Sequence, residues 1–117
     1  MSHQGSCHCG KIAFEVDGEP TGALACNCSM CSRKGSLLWF VPREQLRLLT
    51  PEDNASTYLF NKHAISHRFC PTCGIHPYGE GTGPGPDGKR MAAVNLRCVQ
   101  DLDLAAIPVQ HFNGRAS

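Results

Sequence analysis

Apolar and polar residues alternate along much of the chain with the two-residue period of a strand. In KIAFEV, Ile12, Phe14 and Val16 alternate with Lys11, Ala13 and Glu15, which predicts a half-buried strand. DGEP then predicts a turn, and Thr21 to Ala25 leads into a cysteine-rich loop. SLLWFV, residues 36–41, is an unbroken apolar run ended by Pro42. Its length and aromatic content predict a buried strand, with Trp39 and Phe40 in the core rather than in a ligand pocket. Pro42 opens a helical turn over PREQL. RLL reads as a short strand closed by the turn-forming TPEDNAS. TYLFN and AISHRF predict two strands joined at Lys62 and His63. AAVNLRCV is the clearest late strand: Ala92, Val94, Leu96 and Cys98 face one way, and Ala93, Asn95 and Arg97 the other. DLDLAAIPV predicts a helical turn before a short last strand.

Composition sharpens this picture. Gly and Pro together number 20 of 117 residues, which favours turns and short strands. Five Gly and two Pro fall between Gly79 and Gly88, predicting a mobile loop there. No repeat, low-complexity tract or linker interrupts the chain, so residues 1–117 read as one mostly β domain. Hydrophobic residues make up 41%, enough for a small core. With 18% charged residues and a formal net charge of +1, nucleic-acid binding through bulk charge is excluded. No run approaches the roughly 18 apolar residues of a membrane helix. MSHQGSCHCG has no apolar signal-peptide segment, so a cytoplasmic protein with reduced thiols is expected.

That expectation turns the eight cysteines away from disulfides and toward metal or catalysis. Thiols in Cys7-His8-Cys9 and Cys26-Asn27-Cys28 stand two residues apart, a separation that disulfide geometry rarely bridges. Cys70-Pro-Thr-Cys73-Gly74 has the form of a zinc knuckle, whose turn aims two thiolates at one point. A structural zinc needs four ligands, and Cys7-x-Cys9-Gly10 is the natural partner. Such a site would tie the N-terminus to the middle of the chain and supply much of the folding free energy. His8, between two ligands, is expected to point away from the metal.

Cys26-x-Cys28-x-x-Cys31 brings three thiols with no fourth cysteine near. Three readings stand. A His or distant Cys completes a second structural site; water holds the fourth position, as in catalytic zinc sites; or Cys28 and Cys31 form a redox disulfide. Arg33 and Lys34 follow directly, either as solvated surface charge or as the binders of an anionic substrate beside the metal. Cys98 reads as a buried inert thiol, with a nucleophile beside Arg97 as the alternative.

The segments GSCHCGKIAFEV, CNCSMCSRKG, HRFCPTCG, AVNLRCVQDLDL and VQHFNGR resemble, in this order, the motifs of the glutathione-dependent formaldehyde-activating enzyme family. The resemblance spans nearly the whole chain and includes seven cysteines at matching spacing. It implies a mostly β fold, a β-tent of small antiparallel sheets pinned by zinc. It implies a structural zinc on Cys7, Cys9, Cys70 and Cys73. It also implies a catalytic zinc on Cys26, Cys28 and Cys31 with an open position for a thiol substrate or water. The implied activity is that of a carbon–sulfur lyase. It joins glutathione to formaldehyde as S-hydroxymethylglutathione, with small-molecule partners and neither nucleic acid nor membrane. The Gly79–Gly88 loop is expected to border the active face. Two other classes compete: a non-catalytic zinc-stabilised binding module, and a methionine sulfoxide reductase-like enzyme with Cys98 as nucleophile. The reductase would use two CxxC pairs for zinc, whereas one pair here is CxC and three further cysteines go unexplained.

Overall fold

The computed structural model describes residues 2–59, 65–81 and 90–113. Strand β1 (Ser2–Ser6) and strand β2 (Ala13–Asp17) form an antiparallel hairpin that puts Gly5 opposite Phe14. Strand β5 (Leu46–Leu48) pairs with the other edge of β2, completing a three-stranded sheet. The second sheet has seven strands: β3 (Ala23–Cys26), β4 (Leu38–Pro42), β6 (Ser56–Tyr58), β7 (Ile65–Phe69), β8 (Tyr78–Gly81), β9 (Met91–Asn95) and β10 (Val109–Phe112). Their order is β10-β3-β4-β9-β8-β7-β6. The fold is mostly β, as expected, but not wholly antiparallel, because β10 runs parallel to β3. No helix among the described residues is long and apolar enough to cross a membrane.

One buried cluster draws on both sheets. Phe14, Val16 and Leu46 come from the smaller sheet; Val41, Tyr78, Ala92 and Val94 come from the larger. The rings of Phe14 and Tyr78 meet edge to face with centroids 6.5 Å apart. Burying each large apolar side chain contributes about 1.5–3 kcal/mol. Gly5 leaves room for this packing: a Cβ there would lie 2.4 Å from Phe14 Cζ and 2.7 Å from the Cys98 carbonyl oxygen.

Several sequence expectations change. SLLWFV is not a buried run; its strand begins at Leu38 and its side chains divide between two faces. Val41 is buried and Trp39 packs against the core, but Phe40 is 47% exposed on the other face. The late strand stops at Asn95, where the Asn95 side chain accepts a hydrogen bond from the Arg97 N–H at 3.1 Å. That contact turns Leu96–Cys98 into a 3-10 turn and removes Leu96 and Cys98 from the strand's alternation. Tyr78–Gly81 is a strand rather than the start of a loop, since Glu80 is buried and Gly79 is tightly backed. A Cβ at Gly79 would stand 3.3 Å from the Ser66 carbonyl oxygen. The rest of the expected loop, 82–89, and the link at Lys62 and His63 lie outside the described residues. The cysteine loop holds a short helix, α1 (Ser29–Lys34). The helical turns expected after Pro42 and within DLDLAAIPV appear as 3-10 turns at Arg43–Gln45 and Leu104–Ala106.

Candidate functional site

The turn after β1 and the turn after β7 are built alike. The Cys7 N–H donates to the Ile12 carbonyl at 2.9 Å, and the Cys70 N–H donates to the Ile75 carbonyl at 2.9 Å. Each turn closes through a glycine with positive φ, Gly10 at 84° and Gly74 at 81°, where a side chain would be strained. The thiols of Cys7, Cys9, Cys70 and Cys73 converge, with all four sulfurs within 4.8 Å of one another. Cys7 and Cys9 sulfurs are 3.8 Å apart, and Cys9 and Cys70 are 3.5 Å apart. Tetrahedral zinc with Zn–S near 2.3 Å sets its sulfurs about 3.8 Å apart, so this spacing fits the metal. Backbone N–H groups support charge on the sulfurs. Ile12 donates to Cys7 at 3.3 Å, and Thr72 and Cys73 each donate to Cys70 at 3.4 Å. The Ile75 N–H, and then the Cys9 N–H, draw the Cys73 thiol down to about 6. Cys7 and Cys70 are buried, whereas Cys9 and His8 are exposed.

The second group sits where β3 runs into α1. Cys28 caps the helix, its sulfur accepting the Cys31 N–H at 3.3 Å, and the Cys26 sulfur accepts the Cys28 N–H at 3.4 Å. Ligand atoms of Cys26, Cys28 and Cys31 lie within 4.8 Å of one another, and among the described residues no fourth metal-binding group joins them. Burial opposes charge on Cys28, but the Cys31 N–H and the neighbouring thiols outweigh it and hold its pKa below the usual thiol range. Cys31 is pushed up to about 12, by burial first and then by Cys28.

These three thiols line one end of a 320 Å³ cavity. Its wall is one face of the larger sheet, read directly from register: Leu24 opposite Leu38, Phe40 opposite Ala93, and Gly79 between Ala93 and His67. Phe112, paired with Cys26, and Ile65 flank this wall. Lys34 enters from α1 with its Nζ 3.4 Å from His67 Nδ1. Burial lowers the Lys34 pKa. His67 is held down to about 4, by burial first and then by the Lys34 charge, and burial with Lys34 also lowers His76.

A protein-family model, that of the glutathione-dependent formaldehyde-activating enzyme, matches residues 2–114. The chain belongs to this family. A crystal structure of a Rhodobacter sphaeroides protein is similar to this member of the formaldehyde-activating family, with a TM-score of 0.75 and 26% identity. The match covers 92% of this chain and 99% of that one.

Within this family member, the seven cysteines fall into two clusters able to hold metal. Of the two cations expected beside the open cluster, Lys34 lines the cavity, whereas the Arg33 guanidinium donates to the Ser29 carbonyl at 2.8 Å. Phe40 corrects the expectation of a core residue: it lines the cavity. His67 and His76 line it too, although no motif in the sequence singles them out. The strand period would have placed His67 on the cavity face only with the β7–β8 register in hand. Cys98 is half-buried, and burial pushes its thiol up to about 11, the wrong direction for a nucleophile. Of the Gly79–Gly88 segment, Gly79 lines the cavity.

Proposed function

We propose that this chain is a zinc-dependent carbon–sulfur lyase-like enzyme that joins a thiol to a small aldehyde, and reverses that step. The supporting observation is the convergence of Cys26, Cys28 and Cys31 at the end of a cavity, with no fourth ligand among the described residues. The family's name points to the same substrate classes, a thiol and an aldehyde. In the forward direction the thiol S–H bond breaks, a C–S bond forms, and the carbonyl oxygen takes up a proton, so no oxidant or reductant is required. Zinc bound here would lower the pKa of an incoming thiol and polarise a carbonyl. The chain's own residues do the rest. Cys26, Cys28 and Cys31 would hold the metal, and their thiols line the cavity. Lys34 offsets negative charge at the same end, where three thiolates and a divalent cation sum to −1. His67 stays neutral at pH 7, so its ring can accept a hydrogen bond from the Lys34 ammonium and hold it beside the thiols. Cys7, Cys9, Cys70 and Cys73 take a structural role.

The test is exchange spectroscopy of formaldehyde with a thiol and its hydroxymethyl adduct. The zinc-loaded chain should accelerate exchange, Cys28→Ser should abolish the acceleration and lose one metal per chain, and Cys98→Ser should change neither. A chain that carries two metals and never accelerates exchange with any thiol would leave the binding-module reading in its place.

A further inference from the structure

We infer that the thiol taken by this site has an apolar body: beyond its sulfur, the cavity recognises a neutral hydrocarbon chain or ring. This inference rests on the thiol–aldehyde reading above and narrows its substrate class. The walls carry it. Leu24, Leu38, Phe40, Ala93, Ile65 and Phe112 turn toward one concave space. Phe40 and Phe112 are each 47% exposed and Ile65 is 40% exposed. Large apolar side chains left open and gathered in one hollow, instead of scattered, mark a surface awaiting an apolar ligand. Gly79 contributes no side chain to the wall, which keeps the space open between Ala93 and His67.

Charge points the same way. Glutathione brings two carboxylates, and a carboxylate taken out of water needs a cation or several hydrogen bonds. Among the described residues that line the cavity, Lys34 is the one with a formal positive charge. Its ammonium already lies 3.4 Å from His67 Nδ1 and beside the thiols. Neither Arg33, which donates to the Ser29 carbonyl, nor Arg97, which donates to the Gly35 carbonyl at 3.0 Å, lines the cavity. A volume of 320 Å³ is at the small end of ligand cavities, about 300–1,000 Å³, and suits a compact body.

Calorimetric titration of the zinc-loaded full chain with ethanethiol, butanethiol, hexanethiol and glutathione tests this. Affinity should rise by about fourfold per added methylene until the cavity is full, with a negative heat-capacity change. Glutathione should bind more weakly than hexanethiol. Phe40→Ser and, separately, Phe112→Ser should each weaken hexanethiol by about tenfold while metal content and melting temperature hold; both residues are half exposed, so the fold tolerates the change. Glutathione binding more tightly than hexanethiol, or affinity indifferent to chain length, would overturn the apolar body and leave the thiol–aldehyde reading standing. Failure of every thiol to bind would overturn both.

Discussion

His67 shows how one position reports on the cavity. It is buried on the inner edge of the wall, with the Lys34 ammonium 3.4 Å away, and its pKa falls from 6.5 to about 4. The sign of the linkage follows. Between pH 6.5 and about 4 the unfolded chain holds a proton on this imidazole that the folded chain lacks, so acid favours unfolding across that window. Above pH 6.5 the group is neutral in both states and contributes no slope. The urea midpoint should therefore drop between pH 7 and pH 5, and His67→Gln should drop less. Equal losses in both proteins would show that His67 is solvated and charged in the fold. Cys98 gives a second check at this scale: with its thiol raised to about 11, alkylation at pH 7.5 should be slow there and faster at Cys28, whose thiol is shifted the other way.

Strand β8 carries the least anticipated element of the fold. Glu80 is buried at its centre, with Arg43 Nε at 2.6 Å, Arg90 Nη2 at 3.3 Å and Arg68 Nη1 at 3.8 Å. One carboxylate thus joins the turn after β4, strand β7 and the approach to β9. Glu80→Gln would keep the shape but leave three guanidiniums facing one another. Breaking a buried pair costs about 3–5 kcal/mol; the arginines are partly solvated here, so about 2–3 kcal/mol is expected. Thermal melting should fall by roughly 10 °C, while metal content is retained. A shift under about 2 °C would mean the arginines are solvated independently of Glu80. This element also marks where the sequence stopped being informative. KIAFEV and residues 92–95 announced themselves because their faces differ, one buried and one not. SHQGS has no such contrast and becomes β1 only by pairing with β2. YGEG looks like loop, although Gly79 is there for close backbone packing. SMCSRK buries nothing, so α1 has no apolar stripe to betray it. The two thiol clusters were legible because ligand type and spacing are local chemistry. The cavity was not, since its wall crosses six strands and exists only once their register is set.

At the scale of the whole molecule, the two thiol clusters stand in different relations to the fold. Cys7 and Cys70 are part of the buried core, and their cluster joins the end of the β1 strand to the end of β7, so it holds the small sheet against the large one. Cys26, Cys28 and Cys31 are half-buried, spread from the end of β3 through the cap into a six-residue helix that contributes no buried side chain. Metal held at the first cluster would bind only the folded arrangement, so its binding free energy would be folding free energy. Metal at the second draws on a loop end that the sheets hold in place without it. Chelator added in steps to the protein with both clusters loaded should therefore act in two stages. The first equivalent of metal should leave with little change in far-ultraviolet circular dichroism or in melting temperature, and thiol binding should vanish with it. Loss of the second should coincide with cooperative unfolding. Cys28→Ser should show only the second stage, and Cys70→Ser should be unfolded or severely destabilised before any chelator is added. Release of both metals in a single transition together with unfolding would mean that α1 and its cluster are as deeply tied to the core as the Cys7–Cys70 cluster, and the division into a structural and a working site would fall.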